Sequence, residues 1–299
     1  MPAHRALAVA IRYRAPGRTP VPVENTLKAA NISWRGQQAY SETFDDIYHD
    51  EDGPAEVRRT FLEPTRFSEL ARSRAKLGRS LLVGELGFGT GLNFAMAAAA
   101  CEAAGATLHF VSFDAAPLQP ADMARIARLR SRESPIYAEL RGRYPPLITG
   151  WHRRFLASGS VTLSVFWGTA AEGLTDILNR QQRPFDAWFL DGFAPDRNPE
   201  MWTPALMANI GALSATDTRV ATFTAAGRVR RGLQAAGFDM RRIDQRPFKR
   251  ESLAGVFAGA RRSAPAATSD VITVVGAGLA GASAARHLAD AGRQIQVLE

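Results

Sequence analysis

The chain has a single cysteine, Cys101, among its 299 residues. That excludes an internal disulfide and any multi-cysteine metal site, and it fits a reducing compartment. No apolar run approaches the roughly 20 residues of a bilayer span, and the N-terminal ALAVAI is shorter than the core of a secretory signal, about 7 to 15 residues. A cytoplasmic, monomeric protein with no membrane partner and no metal is expected. Internal repeats and low-complexity segments are missing as well. Acids are the scarcer charge, 29 against 37 basic residues, and the resulting +8 favours an anionic partner, with nucleic acid the first candidate. A solvated arginine-rich surface would give the same total. The basic residues concentrate late, in RVRRG at 228–232 and RRIDQRPFKR at 241–250.

What is present is a large apolar fraction, 46%, enough for one big domain or two ordinary ones. Residues 1–32 read as a basic N-terminal extension. From residue 80 onward, short apolar runs alternate with helical patterns, which predicts an α/β fold with a mostly parallel, doubly wound sheet over 33–260. The candidate strands are SLLVGE, LHFVSFD, VTLSVFW, FDAWFLD and RVATFT, the first four apolar enough to be buried on both faces. The helix LNFAMAAAACEAAG places Cys101 in the core, as an inert thiol. Thr203 is expected to cap a helix that has Pro204 at its first position and Leu206, Ile210 and Leu213 on one face. RRSAPAATSD, 261–270, reads as a linker. Residues 271–299 supply one strand, one helix and one strand, too little to bury their own apolar faces, so an incomplete second unit is expected.

The chemistry begins with GELGFGTG. Gly87, Gly89 and Gly91 permit positive φ and a close backbone approach to a ligand at the start of a helix. No Gly-Lys-Ser/Thr follows, which excludes a nucleotide-triphosphate loop. The every-second-residue spacing, preceded by Glu85, resembles the first motif of Rossmann-like S-adenosylmethionine methyltransferases. A cofactor with an ammonium group and no phosphate suits an acid at that place. Asp114, at the end of the next strand, sits where an acid accepts ribose hydroxyls. Asp191 ends the fourth strand, and Pro195 and Pro199 stiffen the loop after it. A carboxylate there can bind an ammonium substrate and help remove its proton. Both aspartates have a plainer reading, as caps of the turns that follow them.

Longer matches go further. FDDIY, ELGFGTGLNF, FDAWFLDGFAPDRNPEMW, ATFTAAGRVRRGLQAAGF and KRESLAGV resemble, in this order over roughly 33–260, the methyltransferase half of the bifunctional MnmC family of tRNA wobble-uridine enzymes. The terminal VITVVGAGLAGASAARHLADAGRQIQVLE adds Gly276, Gly278 and Gly281 in a Gly-x-Gly-x-x-Gly turn, with Glu299 placed for the ribose of an adenine dinucleotide. In the family this position opens an FAD-dependent oxidoreductase, which removes a carboxymethyl group before the other half methylates the exposed amine. The resemblance implies S-adenosylmethionine held by Gly87, Gly89, Gly91 and Asp114, Asp191 facing the amine, and FAD in the full-length protein. Arg230, Arg231, Lys249 and Arg250 are candidates for contacts with the tRNA.

Two departures accompany the match. Thr169 stands where relatives tend to have an acid for the adenine amino group, and LSATDTRVATF lacks the usual proline-glycine-glycine turn before the fifth strand. They keep one rival open, a tRNA-binding module without cofactor affinity; the terminal fingerprint keeps a second, an oxidoreductase fragment whose first domain only presents tRNA. Methylation of a uridine ring carbon is not expected, because it needs a cysteine nucleophile and Cys101 is placed in the core.

Overall fold

The structure, a computed structural model, describes residues 27–131, 134–180, 183–248, 251–259, 271–290 and 294–298. The linker at 261–270 and the candidates Lys249, Arg250 and Glu299 lie outside the described residues. Three short strands, β1 (Ile32–Arg35), β2 (Gln38–Ser41) and β3 (Asp46–Ile47), form an antiparallel sheet, followed by α1 (Gly53–Val57), a π-helical turn (Arg58–Leu62) and α2 (Phe67–Lys76). Then come β4 (Leu81–Leu86), α3 (Leu92–Ala103), β5 (Leu108–Asp114), α4 (Pro120–Arg130), α5 (Ile136–Arg143), β6 (Gly150–Leu156) and β7 (Val161–Trp167). The body closes with α6 (Ala170–Asn179), β8 (Phe185–Leu190), α7 (Pro204–Ala212), β9 (Ser214–Thr222), α8 (Gly227–Ala235), β10 (Phe238–Asp244) and β11 (Glu251–Phe257). A separate parallel pair, β12 (Val271–Val275) and β13 (Gln294–Leu298), flanks α9 (Leu279–Asp290).

Eight strands make the main sheet, in the order β10-β11-β9-β8-β4-β5-β7-β6. The pairings β9–β8, β8–β4, β4–β5 and β5–β7 are parallel; β6 and the β10–β11 hairpin add antiparallel edges. The chain winds from β4 to β5 in one direction and reaches β8 on the other side, so the order reverses between β4 and β8. Open α/β sheets bind ligands outside the strand ends at such a point. The four apolar segments predicted as central strands are β4, β5, β7 and β8. Both β4 and β8 are buried along their whole length, as continuous apolar runs between two helical layers require.

The packing at the reversal is tight. A Cβ on Gly84 would run into the Trp188 ring of the adjoining strand, so the indole uses the space that glycine leaves. Trp188 is fully buried, and its Nε1 donates to Ser214 Oγ at 3.1 Å. At the opposite ends of these strands, Asp186 is 5% exposed, accepts from Leu82 N–H at 2.7 Å and pairs with Arg74 at 2.6 Å and Arg183 at 3.3 Å. Cys101 is buried, and burial pushes its thiol up to about 12. Thr203 caps α7 by accepting from Leu206 N–H, with Pro204 as the first helical residue. Where the proline-glycine-glycine turn is missing, β9 carries Asp217 at φ 74° and pairs with β8 through a register shift between Phe185 and Ala187. Leu27, Ala30 and Ile32, which fall within the expected extension, pack against the core.

Candidate functional site

The turn after β4 adopts the left-handed backbone that its glycines allow, with φ of 85° at Gly87, 51° at Gly89 and 72° at Gly91. Gly87 is also needed for space: a Cβ there would sit 3.2 Å from Gly192 Cα and 3.3 Å from the Asp191 carbonyl oxygen. Gly91 starts α3 as its N-cap residue. The turn therefore lies directly beside the loop that leaves β8, and the two enclose a cleft of about 530 Å³.

The cleft brings together Gly87, Gly89, Asp114, Thr169 and Asp191. Asp114 braces the turn, its Oδ2 accepting from Gly89 N–H and its Oδ1 from Ala116 N–H, each at 2.9 Å. Burial pushes the Asp114 carboxyl up, and those two donors pull it back. Asp191 Oδ1 accepts from Gly192 N–H at 2.8 Å, while Oδ2 accepts from Asn93 Nδ2 at 2.7 Å. The charged side chains in the lining are Asp114, Asp191, Glu200 and Arg197. Arg197 is engaged elsewhere, at 2.7 Å from Asp45 and 3.0 Å from the Phe44 carbonyl oxygen. The net lining is acidic, which suits cationic ligands and disfavours a pyrophosphate.

Glu85 is placed differently from its expected contact with a cofactor ammonium. It is 1% exposed, is not part of the cleft lining, and accepts from Ser112 Oγ at 2.6 Å. The last residues of a strand alternate between faces, and this one turns beneath the glycine loop. Its carboxyl is pushed well above the usual range, mainly by burial and further by Asp191 and Asp114. Gly91 is not part of the lining either. Arg230 and Arg231 lie on α8, outside the cleft lining, Arg230 half-buried and Arg231 exposed. Thr169 caps α6 in a capping box with Glu172. That local role accounts for a threonine there without recourse to a ligand.

Sequence reasoning did not single out the aromatic wall or Asn93. Phe44 stacks on Phe193 at 4.5 Å, Tyr48 meets Phe193 edge-on at 5.2 Å, and all three line the cleft. Tyr48 also lies against Gly89, where an added Cβ would come within 3.1 Å of its ring. Burial pushes the Tyr48 hydroxyl up, and Asp114 and Asp122 add to the effect. The small N-terminal sheet thus closes one side of the cleft. Its FDDIY segment carries two of the three rings, Phe44 and Tyr48.

The geometry agrees with the comparisons to known proteins. Residues 131–258 match the model of a family described as S-adenosyl-L-methionine-dependent methyltransferase. The tRNA 5-methylaminomethyl-2-thiouridine biosynthesis bifunctional protein MnmC of Chromobacterium violaceum is 40% identical over 284 residues, which is 90% of this chain and 42% of that protein. The protein of the same name from Marinobacter nauticus is 38% identical over 278 residues, 89% of this chain and 43% of its own length. The chain thus spans less than half the length of these curated relatives. Among solved structures, MNMC2 from Aquifex aeolicus superposes with a TM-score of 0.59 at 21% identity, covering 81% of this chain and 74% of that one, so the fold is shared.

Proposed function

This chain is a relative of the MnmC proteins with an S-adenosyl-L-methionine-dependent methyltransferase domain, and on that premise we propose that it methylates the aminomethyl nitrogen of 5-aminomethyl-2-thiouridine at the tRNA wobble position. The observation that carries the proposal is the acid-lined cleft at the sheet reversal, where a positive-φ glycine turn and Asp191 face one space. S-adenosylmethionine fits this cleft: it brings a sulfonium and an ammonium to an acidic lining, and when bound it supplies an electrophilic methyl group. Asp114 and the turn glycines would hold the adenosyl part, the Asp114 carboxylate serving as acceptor for its ribose hydroxyls. Glu85 lies buried outside the cleft, held by Ser112.

Asp191 acts on the substrate. Its carboxylate draws in the aminomethyl ammonium, takes up or relays its proton, and leaves the nitrogen lone pair aimed at the methyl carbon. The bound cofactor would supply the methyl group to that nitrogen, the methyl–sulfur bonding pair returning to sulfur. The secondary ammonium so formed leaves as the charged product, and Asp191 returns the one proton it took up to solvent. Phe44, Tyr48 and Phe193 form an aromatic wall against which an unpaired base can stack.

The second unit fits an adenine dinucleotide in its turn: Gly276 has φ 99°, and a Cβ on Gly281 would run into the Gly276 carbonyl oxygen. FAD is proposed as its cofactor, as part of a longer two-activity protein in the cytoplasm.

Equilibrium binding of S-adenosylmethionine and methyl transfer to aminomethyl-bearing tRNA test the reading. Asp191→Asn should abolish transfer and leave cofactor binding within a few-fold of the parent. No binding at millimolar cofactor would remove the methyltransferase proposal, and transfer at the parent rate by Asp191→Asn would remove the role of that carboxylate.

A further inference from the structure

Beneath the cleft, two buried acceptor atoms have no partner: Glu85 Oε1 and Asn93 Oδ1. They belong to neighbouring side chains, because the Asn93 amide also reaches the Glu85 carboxyl. Asn93 is the second residue of α3 and is 5% exposed, so its side chain is fixed by packing between the helix start and the end of β4. Its Nδ2 donates to Asp191 Oδ2 at 2.7 Å. On the far side, Ser112 holds Glu85 at 2.6 Å. The result is a buried line of side chains, Ser112–Glu85–Asn93–Asp191, that runs from β5 under the glycine turn to the cleft.

We propose that Asn93, braced by Glu85, is a positioning residue for Asp191, fixing the orientation in which the Asp191 carboxylate meets the substrate amine. An asparagine amide can be turned either way round. Turned so that Oδ1 faced Asp191, it would set two acceptors against each other. With Nδ2 toward Asp191, the amide is held on the cleft side by that carboxylate, and on its buried side it also donates toward the Glu85 carboxyl. Burial pushes the Glu85 carboxyl up, Ser112 and the Asn93 amide pull it back by donating to it, and Asp191 and Asp114 push it further up. Buried polar groups that lock one another in this way give a side chain one orientation instead of several.

This inference rests on the role proposed for Asp191, and its test separates the two. Asn93→Ala and the isosteric Asn93→Asp are compared with the full chain by crystal structure, S-adenosylmethionine affinity and single-turnover methyl transfer to aminomethyl-bearing tRNA. Both variants should bind cofactor within about threefold of the parent and transfer methyl about 10- to 100-fold more slowly, the loss appearing in kcat rather than KM. Asn93→Asp should be the slower, since it sets a second acceptor against Asp191. In the variant structures the Asp191 carboxylate should leave its parent rotamer. An unmoved Asp191 overturns the positioning role whether or not the parent is active, and so does a variant rate equal to that of an active parent. A parent inactive on this tRNA, with Asp191 displaced in the variants, removes the proposed function and leaves the positioning role standing. If Asn93→Ala does not fold, Asn93→Asp carries the same comparison.

Discussion

Gly87→Ala is the sharpest perturbation of the cleft, because the structure supplies its control. At Gly87 the backbone has φ 85°, and an added Cβ would press on Gly192 Cα at 3.2 Å and the Asp191 carbonyl oxygen at 3.3 Å. At Gly78 the backbone is also left-handed, φ 61°, but nothing lies within 4 Å of the Cβ position. Gly78→Ala therefore carries the backbone strain alone, about 1 kcal/mol. Gly87→Ala carries that strain plus overpacking of about 1 to 3 kcal/mol, because backbone atoms, unlike a side-chain tip, cannot swing aside. For a body of this size the melting temperature should fall by about 2 to 4 °C in Gly78→Ala and by roughly 4 to 16 °C in Gly87→Ala. The functional contrast should be larger. Pushing the Asp191 loop outward by a few tenths of an ångström shifts both walls of the cleft, so cofactor affinity should drop at least about tenfold in Gly87→Ala and stay unchanged in Gly78→Ala. Differential scanning calorimetry and titration calorimetry measure the two effects. Equal melting points and equal cofactor affinity for the two variants would refute the close approach of turn and loop.

Phe193→Ala removes the ring that both Phe44 and Tyr48 touch; if the wall takes a base, the tRNA KM should rise about 5- to 100-fold with cofactor affinity preserved, and an unchanged KM would count against the stack. Arg74→Ala deprives the buried Asp186 of its 2.6 Å partner and leaves Arg183 and Leu82 N–H; a loss of about 2 to 3 kcal/mol is expected in urea unfolding, with methyl transfer unaffected at low temperature. His109 is held neutral, mainly by burial, its value lowered to about 3 from an ordinary 6.5. Protonation therefore favours the unfolded chain, so this stabilisation is present above pH 6.5 and lost as the pH falls toward 3. His109→Gln should flatten the acid limb of stability by up to about 1.4 kcal/mol per pH unit, and superposable limbs would show that the imidazole is not neutral in the fold.

The central sheet was legible because strands buried on both faces leave unbroken apolar runs, and β5 and β7 match their predicted segments end to end. The glycine turn was legible because positive φ leaves few alternatives to glycine. Edge elements were not. The strand β6 has only Leu156 fully buried, and β10 alternates buried and charged positions such as Met240 and Arg241, so neither gives a continuous apolar signal. Glu85 lies buried and outside the cleft lining, a placement the sequence does not reveal, because an acid beside a ligand turn reads the same whether it faces the ligand or the core, and only the pleat decides. Asn93 was passed over because a polar residue early in a helix is common. What singles it out is a partner 98 positions away in sequence, Asp191. The aromatic wall was hidden for the same reason, since Phe44 and Phe193 come from segments with no sequence pattern in common.

The charge of +8 and the acidic cleft look opposed until their positions are separated. Arg58, Arg228, Arg231, Arg241 and Arg246 are exposed, and none of them lines the cleft. Basic residues on the outside meet the phosphates of a polyanion, and that attraction is not specific for sequence. Inside, Asp114, Asp191 and Glu200 would repel those same phosphates and attract a cation. The proposed substrate carries both charges, phosphates along its backbone and an ammonium on one modified base. A protein of this design draws in the backbone and then admits only the part of the substrate that is positively charged. A wobble base whose amine is still carboxymethylated carries an added carboxylate, and Asp191 would meet it with repulsion. Under the proposed function, the sign of the cleft would favour the free amine.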